Sequence, residues 1–351
     1  MRKIYILAAS ALMTFGLASC DIDNVENFGE LSSGNFPASD VDGEATLAGV
    51  YQNLNQTHAT PQQSFLYNAC LASDDQLGGG GDNDKLMQAL DLILNNGADM
   101  TNQFYVDRYA GINRANMLIS ALPNTSMSEE IKAQYLGEAL FLRAFYYYEL
   151  SSMYGNVPLR TAAGGETMQQ GNIEDIWKQI LQDLRDAIEM MPAKKSTSAG
   201  HVDKYTAEAM LGRAWLFYTG FFCNGSSIAD LTSTNYSPLT SVELLDGTTL
   251  TKQDVIAYID DCVNNSGYSL VPDFRNLWAY TNRLTVEDYD YTKGQGLKWV
   301  EDDSADNPES LFAIKFNKFA SWSTTIGYAN GIALHFGVRG GSTDAKFFPF
   351  G

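Results

Sequence analysis

The chain has 351 residues, is 45% hydrophobic, and carries 23 basic against 42 acidic residues for a net charge of −19. Such a length buries a substantial core, as one large domain or a domain plus a subdomain, and the composition is neither disordered nor that of a membrane-embedded bundle. The negative charge repels polyanions, so nucleic acid is excluded as a partner.

Residues 1–19 read as a secretory leader: Arg2 and Lys3, an apolar run from Ile4 to Leu17 too short to span a bilayer, then Leu17-Ala18-Ser19-Cys20. A small-residue tripeptide ending in cysteine is the bacterial lipoprotein signal, so Cys20 is the expected acylated first residue of the mature protein. An ordinary signal cut elsewhere is the alternative. Residues 20–39 are polar and read as a tether from the lipid anchor.

Helical periodicity then takes over. The first helix is predicted to start near Asp40, with Leu47, Val50, Tyr51 and Leu54 on its apolar face, and a short apolar piece follows at 65–71. LASDDQLGGGGDND interrupts with four glycines at 78–81, a loop whose backbone has no single preferred shape. No Gly-Lys-Ser/Thr follows, so it is not a phosphate loop. A second long helix is predicted at 102–122. A third opens with a capping box, Ser126-x-x-Glu129, and carries Leu136, Leu140, Phe141, Ala144, Tyr147 and Tyr148 at helical spacing. Gly155 and Pro158 end it. Asn172 caps a fourth, with Ile173, Ile176, Trp177, Ile180, Leu184 and Ile188 on one face and Pro192 as its stop. A fifth runs from Asp203 to Phe222, and Thr251-x-x-Asp254 opens a sixth that ends near Gly267.

The third and fifth helices share Tyr-x-x-Glu-Ala-x-x-x-Arg-Ala-aromatic at an offset of seventy residues, which aligns Tyr135, Glu138, Arg143 and Phe145 with Tyr205, Glu208, Arg213 and Trp215. Seventy is about twice the 34-residue tetratricopeptide period. The fold class expected is therefore mostly α, a tetratricopeptide-like helical-hairpin scaffold over 40–266, with Phe145 and Trp215 buried in it. Beyond Gly267 the periodicity is lost, and 267–351 reads as a loop-rich subdomain of mixed helix and irregular structure, with one strand expected at 310–316.

No catalytic constellation is present. His58, His201 and His335 stand far apart, and no HExxH, GxSxG or GxGxxG occurs. The acidic clusters Asp74–Asp75, Asp82–Asp84 and Glu301–Asp303 miss calcium-loop spacing and read as solvated loops. Besides Cys20, Cys70, Cys223 and Cys262 show neither disulfide nor zinc patterning and read as buried thiols. Glu138 and Arg143 read as polar groups placed for packing. Neither an enzyme nor a bound cofactor or metal is expected. What stands out is a set of loop-borne rings, Trp278, Tyr280, Tyr289, Tyr291, Trp299 and Trp322. Sugars offer an apolar C–H face to flat aromatics and hydroxyls to polar rims. The expected ligand site joins Trp278, Tyr280, Trp299 and Trp322 to Asp74, Asp75, Gln76, Asp82 and Asn83 of the glycine-bearing loop.

These segments, in order, resemble one family, the SusD/RagB outer-membrane nutrient-binding lipoproteins of Bacteroidetes. The matching stretches are the Cys20 lipobox, GNFPASDVDGEATLAGVYQNL, RYAGINRANMLI, EALFLRAFYYYELSSMYGNVPL, IWKQILQDLRDAIEMMP and KYTAEAMLGRAWLFYTG. The resemblance implies a surface-exposed, lipid-anchored outer-membrane protein that passes oligosaccharides or other nutrients to a TonB-dependent, SusC-like transporter. Two departures accompany it. The family's C-terminal helices have no counterpart before Gly351, so a fragment or truncated product is expected. The stretch 71–99 holds no Trp, Tyr or Phe, which weakens a starch-like ligand and leaves peptide or another nutrient open.

Overall fold

The computed structural model describes residues 37, 39–59, 64–73, 101–164, 169–195, 200–225, 228–302, 307–316 and 331. All lie within one compact unit. The expected leader, Cys20, most of the expected tether over 20–39, Asp74, Asp75, Gln76, Asp82, Asn83, Trp322 and His335 lie outside the described residues.

Eight helices are described: α1 Asp40–Ala59, α2 Phe65–Ala72, α3 Asn102–Ala121, α4 Glu129–Tyr154, α5 Ile173–Met190, α6 Lys204–Trp215, α7 Ile228–Leu231 and α8 Lys252–Asn265. The long ones pack in chain order, α1 on α3, α3 on α4, and so on through α5 and α6 to α8. This is the expected mostly helical, tetratricopeptide-like array. It buries one core running from Leu47, Val50 and Leu54 through Phe141, Leu142 and Tyr147 to Trp177, Leu181 and Leu211.

Local chemistry fixes the helix ends. Asn172 and Asp203 accept from the N–H groups of Glu174 and Thr206. Thr251 and Asp254 form a complete capping box, 3.2 and 2.9 Å. The cap of α4 differs from expectation: Ser128, not Ser126, accepts from Ile131 N–H at 3.3 Å. Glu129 thereby becomes the first helical residue, where its charge meets the positive end of the helix dipole instead of closing a box. Gly155, at φ +71°, ends α4 and donates to the Ser151 carbonyl at 3.0 Å.

Past Trp215 the expected straight continuation becomes a π-helical stretch, 216–221, then a 3-10 turn, 222–224. The Thr219 hydroxyl donates back to the Trp215 carbonyl at 2.7 Å. The wider turn lets the adjacent Phe217 and Tyr218 both reach the fully buried Trp177, with ring centroids 5.1 and 5.9 Å away. The segment 310–316 is irregular and forms no strand. It has no ladder partner among the described residues, whose one sheet is the hairpin β1 Ser241–Glu243 and β2 Thr249–Thr251. Instead it straps the helices: the Leu311 carbonyl accepts from Thr206 Oγ1 at 2.7 Å and the Lys315 carbonyl from Asn55 Nδ2 at 2.7 Å. Phe312 sits edge-on to Phe141 and Phe145, at 5.3 and 5.4 Å.

The buried polar residues pin helices together. Glu138 accepts from Tyr51 Oη at 2.5 Å and Gln134 Nε2 at 2.8 Å, and bonds His201 Nδ1 at 2.8 Å. Arg143 instead grips Asp183, so these two neighbours serve different partners. Trp215 is buried as expected, whereas Phe145 is half-buried under the strap. Phe145→Ala should therefore cost only about 1–2 kcal/mol in urea denaturation, below the full-cavity range. A loss above that range would show the ring to be enclosed. Of the three thiols among the described residues, Cys262 alone is buried; Cys70 is half-buried and Cys223, in the 3-10 turn, is exposed.

Candidate functional site

Beyond α8 the chain forms a frame of short turns, which side chains hold in place of a helix or sheet ladder. Asp273 caps a 3-10 turn over 274–277, and a second follows over 279–281. The Thr281 hydroxyl donates to the Trp278 carbonyl at 2.8 Å, Thr285 to the Tyr280 carbonyl at 2.7 Å and Thr292 to the Val286 carbonyl at 2.6 Å. All three threonines are buried, so their hydroxyls satisfy carbonyls that regular structure would otherwise pair. At the root, Tyr268 Oη donates to Asp203 Oδ2 at 2.9 Å and Val271 N–H to Glu309 Oε1 at 2.6 Å.

This frame carries two aromatic groups. Phe274 and Trp278, 67% and 51% exposed, stand edge to face with centroids 5.9 Å apart. Tyr291, 60% exposed, stacks on Tyr289 at 5.3 Å and 18° and meets Tyr280 edge-on at 5.9 Å. One bracket joins the groups. Arg275 is paired with Asp273 at 2.7 Å and donates to Gln295 Oε1, and Gln295 Nε2 donates to the Tyr291 carbonyl at 2.7 Å. Hydrogen bonding to Arg275 holds the Asp273 carboxyl below its ordinary range. Exposed rings on a braced turn frame lose little freedom on binding, which suits them to stacking on a flat apolar surface.

Of the expected site residues, Trp278 and Tyr280 lie in this platform, in different ring groups. Trp299 is half-buried beside it, and its backbone N–H donates to the Thr281 carbonyl at 3.2 Å. Asp74, Asp75, Gln76, Asp82, Asn83 and Trp322 fall outside the described residues. Phe274 was missed. Its place four residues before Trp278, in the Asp273-capped turn, is the signal that would have found it. Elsewhere His58 is enclosed, its pKa pushed down to about 4 by burial while its Nδ1 bonds the Leu54 carbonyl at 2.7 Å, a structural role. Among the described residues no three His, Cys, Asp or Glu side chains converge as metal ligands.

The SusD-like family, described as "Starch-binding associating with outer membrane", matches residues 28–218. SusD-like protein P38 of Formosa agariphila is 24% identical over 255 residues, covering 69% of this chain and 48% of its own. SusD-like protein P2 of the same organism is 24% identical over 222 residues, covering 62% and 43%. A laminarin-binding SusD-like protein superposes with a TM-score of 0.56 at 24% identity, over 70% of this chain and 49% of the other. NanU of B. fragilis superposes with a TM-score of 0.59 at 20% identity, over 84% and 52%. The chain spans about half the length of these relatives. The family match covers α1 to α6 and stops before the aromatic platform.

Proposed function

This chain belongs to the SusD-like family, and from that membership we propose that it captures oligosaccharides at the cell surface and hands them to a TonB-dependent, SusC-like transporter. The family associates with the outer membrane, and its members are binding proteins. The observation that carries the ligand reading is the exposed, braced pair of ring groups around Trp278 and Tyr291. A neighbour of the same fold is described as laminarin-binding, which supports the class by analogy of fold. The proposed site adds Trp299, Trp322 and the loop residues Asp74, Asp75, Gln76, Asp82 and Asn83 to the platform. Neutral glycans are favoured, since a chain of net charge −19 repels sulfated and uronic ones.

Calorimetry with neutral glucan oligosaccharides tests this reading. Trp278→Ala and Tyr291→Ala should each weaken binding by about 0.5–1.5 kcal/mol, roughly twofold to tenfold in Kd, with the melting temperature unchanged. Unaltered affinity with a lowered melting temperature would mean that the rings serve packing. Anchoring is proposed through Cys20, because several acyl chains hold a protein stably at a bilayer. Radioactive palmitate should label the wild type and leave Cys20→Ala unlabelled; equal labelling of both refutes the anchor. Co-purification with a TonB-dependent transporter tests the hand-off.

A further inference from the structure

A groove of about 830 Å3 opens between α6, the π-helical stretch after it, and α8, and none of the platform residues lines it. Ala209 and Gly212 leave its α6 side without bulk, and a Cβ added at Gly212 would lie 2.6 Å from Ile259 Cδ1, so α6 and α8 approach closely there. Trp215, Phe217 and Ile259 supply apolar wall, and Leu216 and Ile256 remain 71% and 38% exposed at its edge. A volume of this size is that of a small-molecule site, and the mainly apolar lining disfavours a sugar, most of whose hydroxyls would find no partner.

The edge is net cationic. Arg213 and Lys252 are exposed there with a single carboxylate, Asp260. Arg213 lies over the Tyr148 ring, 5.5 Å from its centroid, and among the described residues neither cation forms an ion pair. Two such cations at an apolar mouth, in a chain of net charge −19, call for an occupant with an apolar body and an anionic head.

We propose that this groove binds one monomeric fatty-acid anion, its acyl chain lying along the outer seam of α6 and α8 against Leu216, Phe217 and Ile256 and its carboxylate held by Arg213 and Lys252. The bidentate fork of Arg213 suits a carboxylate, and its guanidinium carbon lies over the Tyr148 ring. An acidic amphipathic helix shares the charge pattern, but a groove of about 830 Å3 is the size of a small-molecule site and not of a helix of several turns.

The test uses dodecanoate, dodecanol and dodecyltrimethylammonium below their micelle concentrations, followed by calorimetry and tryptophan fluorescence, since Trp215 lines the groove. Dodecanoate should bind one to one and about tenfold more tightly than the cationic amphiphile, the ratio of one charge-assisted contact. Arg213→Glu with Lys252→Glu, both exposed positions, should invert that order, while Ala209→Trp, which fills the groove, should abolish binding of all three. Circular dichroism and melting check that the variants fold. Absence of saturable dodecanoate binding, equal affinity for the three amphiphiles, or an order that survives charge reversal would each overturn the proposal. Binding of an acidic helical peptide in place of dodecanoate would equally overturn it. Glycan binding at the platform is read separately and does not depend on the result.

Discussion

Arg143→Ala should lower the unfolding free energy by about 3–5 kcal/mol, because it leaves a buried carboxylate without its counter-charge. Arg143 Nε and Nη2 donate to the two oxygens of Asp183, each at 2.7 Å, and both side chains are almost wholly enclosed. Its Nη1 also donates to Asn116 Oδ1 at 2.8 Å and to the Thr161 carbonyl at 3.3 Å. One guanidinium thus ties α4 to α3, to α5 and to the loop after α4. Without it, Asp183 keeps only Gln179 Nε2, 2.7 Å away, which carries no charge. Arg143→Lys should rescue little, since an ammonium cannot reproduce the planar fork. The apolar pair Arg143→Met with Asp183→Leu should recover most of the loss, because removing both charges removes the desolvation penalty with them. Urea denaturation of the three variants decides it. A single-variant loss below about 1 kcal/mol would mean that water reaches Asp183 and that the pin is dispensable.

The helices were legible because their signals are local. Asn172, Thr251 with Asp254, and Gly155 act within a turn of themselves, and each does in the structure what its identity requires. Ser126 and Ser128 show the limit: two serines stand before the acidic pair Glu129–Glu130, and the cap is the second, which residue type alone does not decide. The π-helical stretch was hidden for a different reason. Phe217, Tyr218 and Phe222 fit an α-helix equally well, and the turn widens toward Trp177, which lies about forty residues earlier. SLFAIKF was expected to form a strand; Phe312 and Ile314 do pack on the core, but no strand forms. A local segment says nothing of what its backbone pairs with, and here Thr206 and Asn55 bond its carbonyls in place of a neighbouring strand. The platform followed the same division. Trp278 and Tyr280 were visible as rings in polar loops, whereas the bracket from Asp273 through Arg275 to Gln295 joins residues about twenty apart and has no sequence signature.

Glu208→Gln should stabilise the protein by about 2–3 kcal/mol at pH 8 and by almost nothing at pH 4, an effect that follows from the seventy-residue repeat. Glu138 and Glu208 occupy equivalent positions, but only Glu138 has Tyr51, Gln134 and His201 around it. Glu208 is fully buried, and neither of its oxygens accepts a hydrogen bond. Lys204 Nζ comes to 3.3 Å but is engaged by Asp261 at 2.6 Å. Burial, opposed by Lys204, pushes the Glu208 carboxyl up from 4.5 to about 7. A carboxyl with a raised pKa binds its proton more tightly in the folded state. Its favourable contribution is therefore complete below pH 4.5 and is lost as the pH rises through about 7. A shift of that size corresponds to about 3 kcal/mol at its upper limit, and loss of the Lys204 contact takes back part of the gain. Glutamine keeps the shape of the protonated acid at every pH, so the difference between variant and wild type isolates this group from the other carboxylates. Denaturation of both proteins from pH 4 to pH 9 should give curves that coincide in acid and separate above neutrality. Parallel curves across the whole range would show that Glu208 stays ionised in the folded protein, with Lys204 compensating it fully.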